Sequence, residues 1–409
     1  MDIEFLKNLS KQDLLKISKA LNIKGNISSK KEELINNIID AKTKKKNSKS
    51  NKSDIISKTK NESIKSNNIY SLSKRKKIVA IGDLHGDLEA AIKSLKLAGV
   101  IKKNVPNIPK NLDIEWIGGE TVIVQIGDQI DRVRPSNLVN NLCPENDDEL
   151  HKDEGSDLKI ISLFCSLHKK AIKDGGAVIS CIGNHELMNI LGDFRYVSPR
   201  EFNEFGNYFN AKKTQKKISK FPYGYKERKE AFKPGGILAK KLAECYYSIF
   251  QVGSWIFVHG GISPELAKKY TLNNVNDNIK QWLLGNTSTS VKNAVEELYH
   301  NDDDTFSPFW CRLYSDVEEW NSEKENMFKR TIKILNHVNK PKDEIKGMIM
   351  GHTPQYNFNR GINSSCDEKL WRIDVGVSKA FGPTNDDKNR KVSVLCIEDD
   401  EKCKIIREL

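Results

Sequence analysis

The chain has 409 residues, of which 30% are charged and 38% hydrophobic, and it carries a net charge of +12. That length exceeds one typical domain, so a large body with an appendage is expected, and no apolar run approaches the roughly 18 residues that cross a bilayer. Its eight cysteines are scattered without a CxxC pair, which indicates neither a disulfide framework nor a zinc site. With an N-terminus (MDIEFLKNLSK) that lacks a secretory apolar core, they point to reduced thiols in an intracellular protein, cytoplasmic or nuclear.

The charge is unevenly placed. Residues 1–77 carry 20 Lys/Arg against 8 Asp/Glu, and the remaining 47 of each sign cancel. Any affinity for a polyanion is therefore expected of the first 77 residues.

In chain order, residues 1–40 read as a small all-α module. Ser10-x-x-Asp13 and Ser29-x-x-Glu32 have the form of helix-start signals. Leu14, Leu15 and Leu21 give the first helix an apolar side, and Leu34, Ile35, Ile38 and Ile39 give one to the second. The pattern resembles a SAP-type helix–turn–helix module, which implies DNA or RNA contact; a helical hairpin for protein docking fits the same residues. Residues 41–77 are rich in Lys, Ser and Asn and cannot bury enough apolar surface to fold, so they read as a flexible basic linker.

From residue 78 onward five short apolar runs each end in a polar motif. Ile78–Ile81 leads to Gly82-Asp83-Leu84-His85-Gly86-Asp87, and Thr121–Ile126 to Gly127-Asp128-Gln129-Ile130-Asp131-Arg132. Ala177–Ile182 leads to Gly183-Asn184-His185-Glu186, Trp255–Val258 to His259-Gly260-Gly261, and Met348–Met350 to Gly351-His352-Thr353. Helical patterns lie between, at Leu88–Ala98 and Leu158–Ile172, with Asp87 as a cap for the first. Strands alternating with helices, with polar residues just past strand ends, describe an α/β protein whose site lies at the carboxyl ends of its strands.

Asp, Asn and His drawn from five distant points, with no Cys among them, suit two hard-to-borderline divalent cations. That is the equipment of a binuclear metal phosphoesterase. Taken singly, each His reads as a core histidine and each Asp or Asn as a turn or cap; the ordered set argues for ligation.

These motifs resemble those of the calcineurin-like metallophosphoesterases and, within them, the phosphoprotein phosphatases. The flanks "GNHELMNILGDFRYVSPREF", "VGSWIFVHGGISPELA", "SPFWCRLY" and "RIDVGVSKAFG" are similar to the Shewanella-like protein phosphatases, over roughly residues 78–397. The resemblance implies a β-sandwich of mixed sheets flanked by helices over residues 78–409. It implies that Asp83 and His85 hold one metal, that Asp128 bridges two, and that Asn184, His259 and His352 complete the second. Manganese is the first expectation, with iron and zinc compatible. Two such ions can generate a hydroxide for in-line attack on phosphorus.

The resemblance further implies that His185 protonates the leaving alkoxide with Asp131 orienting its ring, and that Arg132 and Arg312 grip the phosphate. Arg195 is a further phosphate contact, and Glu186 reads as a support rather than a ligand. The substrate implied is a phosphoprotein carrying phosphoserine or phosphothreonine, with phosphotyrosine open. A dinucleoside polyphosphate hydrolase and a nucleic-acid-associated factor targeted by residues 1–77 are the alternatives. Two departures from the wider family stand out: Cys181-Ile182 precedes the third motif where an arginine is usual, and Val133 replaces a glycine after Arg132. The acidic stretch 134–157 and the Asn- and Asp-rich stretch 273–304 read as surface insertions.

Overall fold

The computed structural model describes residues 30–32, 70–144, 153–211, 221–300, 305–382 and 388–408. The chain divides into two units, residues 1–67 and 68–409. Of the first, only residues 30–32 are described, with residues 31–32 helical. The expected SAP-like module and most of the linker thus lie outside the described residues.

The strands of the second unit are, in order, β1 (Ser71–Leu72), β2 (Lys77–Ile81), β3 (Val122–Gln125), β4 (Ala177–Cys181), β5 (Tyr246–Tyr247) and β6 (Ile249–Val252). They continue with β7 (Trp255–Val258), β8 (Gly347–Met350), β9 (Asn363–Ser365), β10 (Leu370–Arg372), β11 (Ser393–Glu398) and β12 (Lys402–Arg407). They form two six-stranded mixed sheets, ordered β12-β11-β2-β3-β4-β5 and β1-β6-β7-β8-β10-β9.

The apolar runs are nearly continuous because these strands are buried on both faces. Ile78, Ala80, Val122, Val124 and Ile179 of the first sheet share a core with Phe250, Trp255, Phe257 and Ile349 of the second. The alternate residues Val79, Ile81, Ile123 and Val178 face outward onto Leu88, Ile92 and Leu95 of helix α1 (Leu88–Ala98) and Ile160 and Phe164 of helix α2 (Asp157–Ala171). Ile249, Ile256, Val258 and Met348 cover the far side with helical residues such as Leu242, Ile279 and Phe328. The result is a four-layer α/β/β/α body. Asp87 caps α1 as expected, accepting the Ala90 N–H at 3.0 Å. Among the described residues no helix is long and apolar enough to cross a membrane.

Two segments differ from their reading in the sequence. Residues 70–77, counted by composition with the linker, join the body. Tyr70 is buried, its hydroxyl donates to Asp277, and β1 pairs parallel with β6. The supposed surface insertion 273–304 contains two amphipathic helices, Leu272–Leu283 and Thr289–His300. Leu272, Val275, Ile279, Val295 and Leu298 all lie in the core. Asn273, Asn274, Asp277 and Asn278 lie on the more exposed side of the first helix and mask a helical period in its apolar positions, while Asn276 is buried and accepts the Ser248 N–H at 2.7 Å.

Register places the site. Ile81, Gln125 and Ser180 are aligned across β2, β3 and β4, so the first three motifs leave the sheet at one level. In the second sheet β7 and β8 run parallel, and Gly351 N–H donates to the His259 carbonyl at 2.8 Å. All five exits therefore meet at one end of the sandwich.

A candidate binuclear metal centre

Two clusters of potential ligands share one carboxylate: His85, Asp128 and His185, and Asp128, His259 and His352. All five are buried. Asp128 Oδ2 lies 3.7 Å from His85 Nε2, 3.3 Å from His259 Nε2 and 3.9 Å from His185 Nε2. Asp128 Oδ1 accepts the backbone N–H of His185 at 3.0 Å, at the start of helix α3 (Asn184–Leu191).

The hydrogen bonding around His259 reveals what this arrangement lacks. Nδ1 lies 3.0 Å from the Ile126 carbonyl and donates to it, which leaves the Nε2 lone pair facing inward. That lone pair meets Asn184 Oδ1 at 2.9 Å and Asp128 Oδ2 at 3.3 Å. Three acceptors converge, and they need a positive species between them. Asp83 Oδ1 and His352 Nε2 are also buried without a partner, while Asp83 Oδ2 accepts the His352 N–H at 3.0 Å. An all-oxygen-and-nitrogen donor set with orphaned, inward-facing atoms fits divalent cations.

The electrostatics divide the ligands. At His259 burial is overcome by Asp128, which raises the imidazole, so without an ion a proton takes the place between these acceptors. Burial, reinforced by Arg134 at His85 and by Arg312 at His352, holds both imidazoles well below their usual range. They are neutral, the form that ligates. Burial, Asp374 and Asp128 push the Asp83 carboxyl well up. For Asp128 burial acts the same way, but His259 and His185 overcome it and hold the group well below the carboxylate range. Glu186 is raised to about 8 by burial and then by Asp128. It accepts the backbone N–H groups of Gly183 (2.7 Å), Asp128 (3.0 Å) and Gln129 (2.8 Å), so it staples the second motif to the third.

The backbone is unusual here. His85, Asp128, Asp131 and His352 all have positive φ, between 41° and 73°. Such conformations are sparse for non-glycine residues and collect where the surrounding structure holds a site in place. Gly127 (φ 106°) has no room for a side chain: a Cβ would stand 2.7 Å from the Gly183 nitrogen.

His185 Nδ1 meets Asp131 Oδ2 at 2.7 Å, and its Nε2 faces the clusters. Asp131 Oδ1 is held in turn by Asn189 Nδ2 at 2.8 Å and Arg228 Nη2 at 3.3 Å. Arg228 is fully buried and also pairs with Asp157 at 2.7 Å.

A cavity of about 620 Å³ opens over the centre, lined by His85, Asp128, Asn184, His185, His352 and three arginines, Arg134, Arg195 and Arg312. Arg312 Nη1 donates to Thr353 Oγ1 at 2.9 Å. Arg195 is half-exposed and engages Asp193 Oδ2 at 2.7 Å. Arg132 departs from expectation. Its side chain is fully buried, with Nε 3.4 Å from Glu154 Oε2, and it does not line the cavity. The acidic segment after the second motif has drawn it inward.

Arg134 occupies the cavity instead, a role not drawn from the sequence. Its guanidinium lies between the rings of Tyr196 (4.9 Å) and Phe381 (4.7 Å), and Nη2 is 3.1 Å from His85 Nε2. The only trace in the sequence is the second arginine in Asp131-Arg132-Val133-Arg134, where Val133 replaces the usual glycine. Asp374, which follows strand β10, lies outside the five sequence motifs as well. It is buried and raised to about 6 by burial, and its Oδ2 has no partner.

With this geometry in view, comparison with known proteins is decisive: the calcineurin-like phosphoesterase family matches residues 76–381. The chain belongs to the calcineurin-like phosphoesterase family. It is 31% identical over 332 residues to Shewanella-like protein phosphatase 2 of Arabidopsis thaliana, covering 75% of this chain and 72% of that one. It is 28% identical over 342 residues to Shewanella-like protein phosphatase 1 of Plasmodium berghei, covering 80% and 76%. Its fold is that of the cold-active protein tyrosine phosphatase of a psychrophile, Shewanella sp., with a TM-score of 0.51 at 19% identity over 83% of this chain and 82% of that chain. The family and the two clusters together support two divalent metal ions.

Proposed function

We propose that this calcineurin-like phosphoesterase is a metal-dependent phosphoprotein phosphatase. The observation that carries the reading is the pair of His/Asp clusters joined through Asp128, beneath a cavity lined by three arginines. Asp83, His85, Asp128, Asn184, His259 and His352 would hold the ions, manganese in the first instance. When bound, the pair supplies a nucleophilic hydroxide at neutral pH and offsets phosphate charge.

The remaining work falls to side chains. Arg134 and Arg312 grip the phosphate oxygens with paired N–H donors, and Arg195 approaches from the rim. His185, oriented by Asp131, hands a proton to the departing serine, threonine or tyrosine oxygen. Glu186 holds the second and third motifs in register.

The aromatic lining invites a second reading, hydrolysis of a dinucleoside polyphosphate, since Tyr196, Tyr299, Trp310 and Phe381 all border the cavity. Three of these rings are already engaged. Tyr196 and Phe381 flank Arg134, and Trp310 packs edge-on against His352 at 5.6 Å. That leaves little free face for a base and favours a protein substrate.

The excess charge of residues 1–77 is read as an intracellular tether with salt-sensitive affinity for nucleic acid. Deleting residues 1–67, which leaves Tyr70 and strand β1 in the body, should abolish polyanion binding and spare turnover.

The deciding assay compares p-nitrophenyl phosphate, phosphoserine/threonine and phosphotyrosine peptides, and diadenosine tetraphosphate, with and without manganese, beside Asp128→Asn. Manganese-dependent release from a phosphopeptide, absent in the variant, supports the reading and reveals residue preference. Turnover confined to the dinucleotide overturns it.

A further inference from the structure

A second cavity of about 450 Å³ lies apart from the metal centre, between residues 317–320 and strands β9 and β10. Two arginines line it. Arg372 is 3% exposed, and its donors meet only neutral acceptors: the Tyr314 carbonyl at 2.6 Å, Asn363 Oδ1 at 3.0 Å and Ser365 Oγ at 3.1 Å. Its guanidinium stacks on Trp320 at 5.0 Å. Arg360 donates to the carbonyls of Val317 (3.1 Å) and Glu318.

No carboxylate among the described residues pairs with either arginine. Glu318 and Glu319, at the mouth, are exposed. Burial and then the charge of Arg360 push Arg372 down to about 10. The Trp320 Nε1–H is buried in the same lining and has no acceptor.

Fastening a loop accounts for the bonds to carbonyls, but not for the charges. Neutral amide side chains would donate to those carbonyls without burying a cation beside a second one, which is costly when uncompensated. Two convergent guanidiniums and an orphaned indole N–H in a cavity of ligand size complete each other around one oxyanion. We propose that this cavity binds a phosphate-type oxyanion at a site separate from the metal centre.

The site is also tied to the catalytic cavity. Asn363 Nδ2 donates to Gln355 Oε1 (3.0 Å), Gln355 Nε2 donates to the Thr353 carbonyl (2.9 Å), and Thr353 Oγ1 accepts from Arg312. The ligand is either free phosphate or a phosphorylated group elsewhere on a bound polypeptide.

The test is equilibrium dialysis of radiolabelled inorganic phosphate against the full, manganese-loaded chain. Arg360→Gln, which removes one charge at a partly exposed position, is expected to weaken one class of phosphate binding about tenfold. Turnover of p-nitrophenyl phosphate and the melting temperature should stay near the parent values. Trp320→Phe, which keeps an aromatic face for Arg372 and removes the orphan donor, should weaken the same class.

Competition by a peptide carrying a non-hydrolysable phosphoserine analogue identifies a phosphorylated chain as the ligand; failure to compete identifies free phosphate. Parent-like phosphate stoichiometry and affinity in both variants overturn the proposal. The readout needs no turnover, so its failure is distinct from failure of the phosphatase reading.

Discussion

His185 Nδ1 stands 2.7 Å from Asp131 Oδ2, while Asn189 and Arg228 hold the other oxygen of that carboxylate. Nδ1 gives its proton to Asp131, so the proton transferred to a leaving group is a second one, carried on Nε2, which faces the cavity. A general acid in this position matters most when the leaving group is a poor one. His185→Asn should lower kcat on a phosphoserine peptide about 10²–10⁴-fold. Its effect on p-nitrophenyl phosphate should be much smaller, because a nitrophenolate leaves without a proton. Equal losses on both substrates would remove His185 from that role.

Arg132 and Arg134 should separate by phenotype. Arg134→Ala removes a cavity guanidinium held between Tyr196 and Phe381. It is expected to cut kcat/KM about 10–100-fold with little change in melting temperature. Arg132→Ala removes the partner of Glu154 Oε2 and leaves that carboxylate to Lys379, 3.5 Å from Oε1. It should destabilise the fold by about 1–3 kcal/mol, read as a drop in the denaturant midpoint.

Chelation should abolish activity and lower the melting temperature together, because the ions bind only the folded site. At a hundred times the dissociation constant, one bound ion adds about 2.7 kcal/mol. Glu186→Gln, which loosens the staple on three backbone N–H groups, should raise the manganese concentration needed for half activity about 10–100-fold. Unchanged metal dependence in that variant would count against the supporting role.

Glu204 gives a pH signature remote from the metals. Burial, then the charge of Asp157, raises its carboxyl from 4.5 to about 8, against the Leu158 N–H that it accepts. The folded chain keeps a proton that the unfolded chain loses. The stabilisation is therefore complete below about pH 4.5 and lost as pH rises through about 8. Compared with Glu204→Gln, the parent should lose about 1–2 kcal/mol between pH 5 and 8, after discounting for its partial exposure. Parallel stability curves for the two proteins would contradict this.

Much of the fold is legible in the sequence because its signals are local. A buried strand must be apolar on both faces, so the runs before Gly82, Gly127, Gly183, His259 and Gly351 announce five strands ending in polar loops. Asp87 likewise declares a helix start through its own short-range bond. Helix Leu272–Leu283 was hidden because its solvent face is rich in Asn, and only a partner surface shows which side is the core.

The candidate site divides in the same way. The residue types and the order of the motifs are written in the chain, since ligand chemistry belongs to each side chain alone. Where those side chains point is not. The left-handed backbone at His85, Asp128, Asp131 and His352 costs local energy and survives because distant segments hold it. Glu186 pins the loop around Asp128 from 58 residues away, and Asp83 holds His352 from 269 residues away. The choice between Arg132 and Arg134 has the same origin. Two arginines two residues apart carry the same charge and the same donors. Glu154 buries one, Tyr196 and Phe381 hold the other in the cavity, and those contacts exist only once the sheets have assembled.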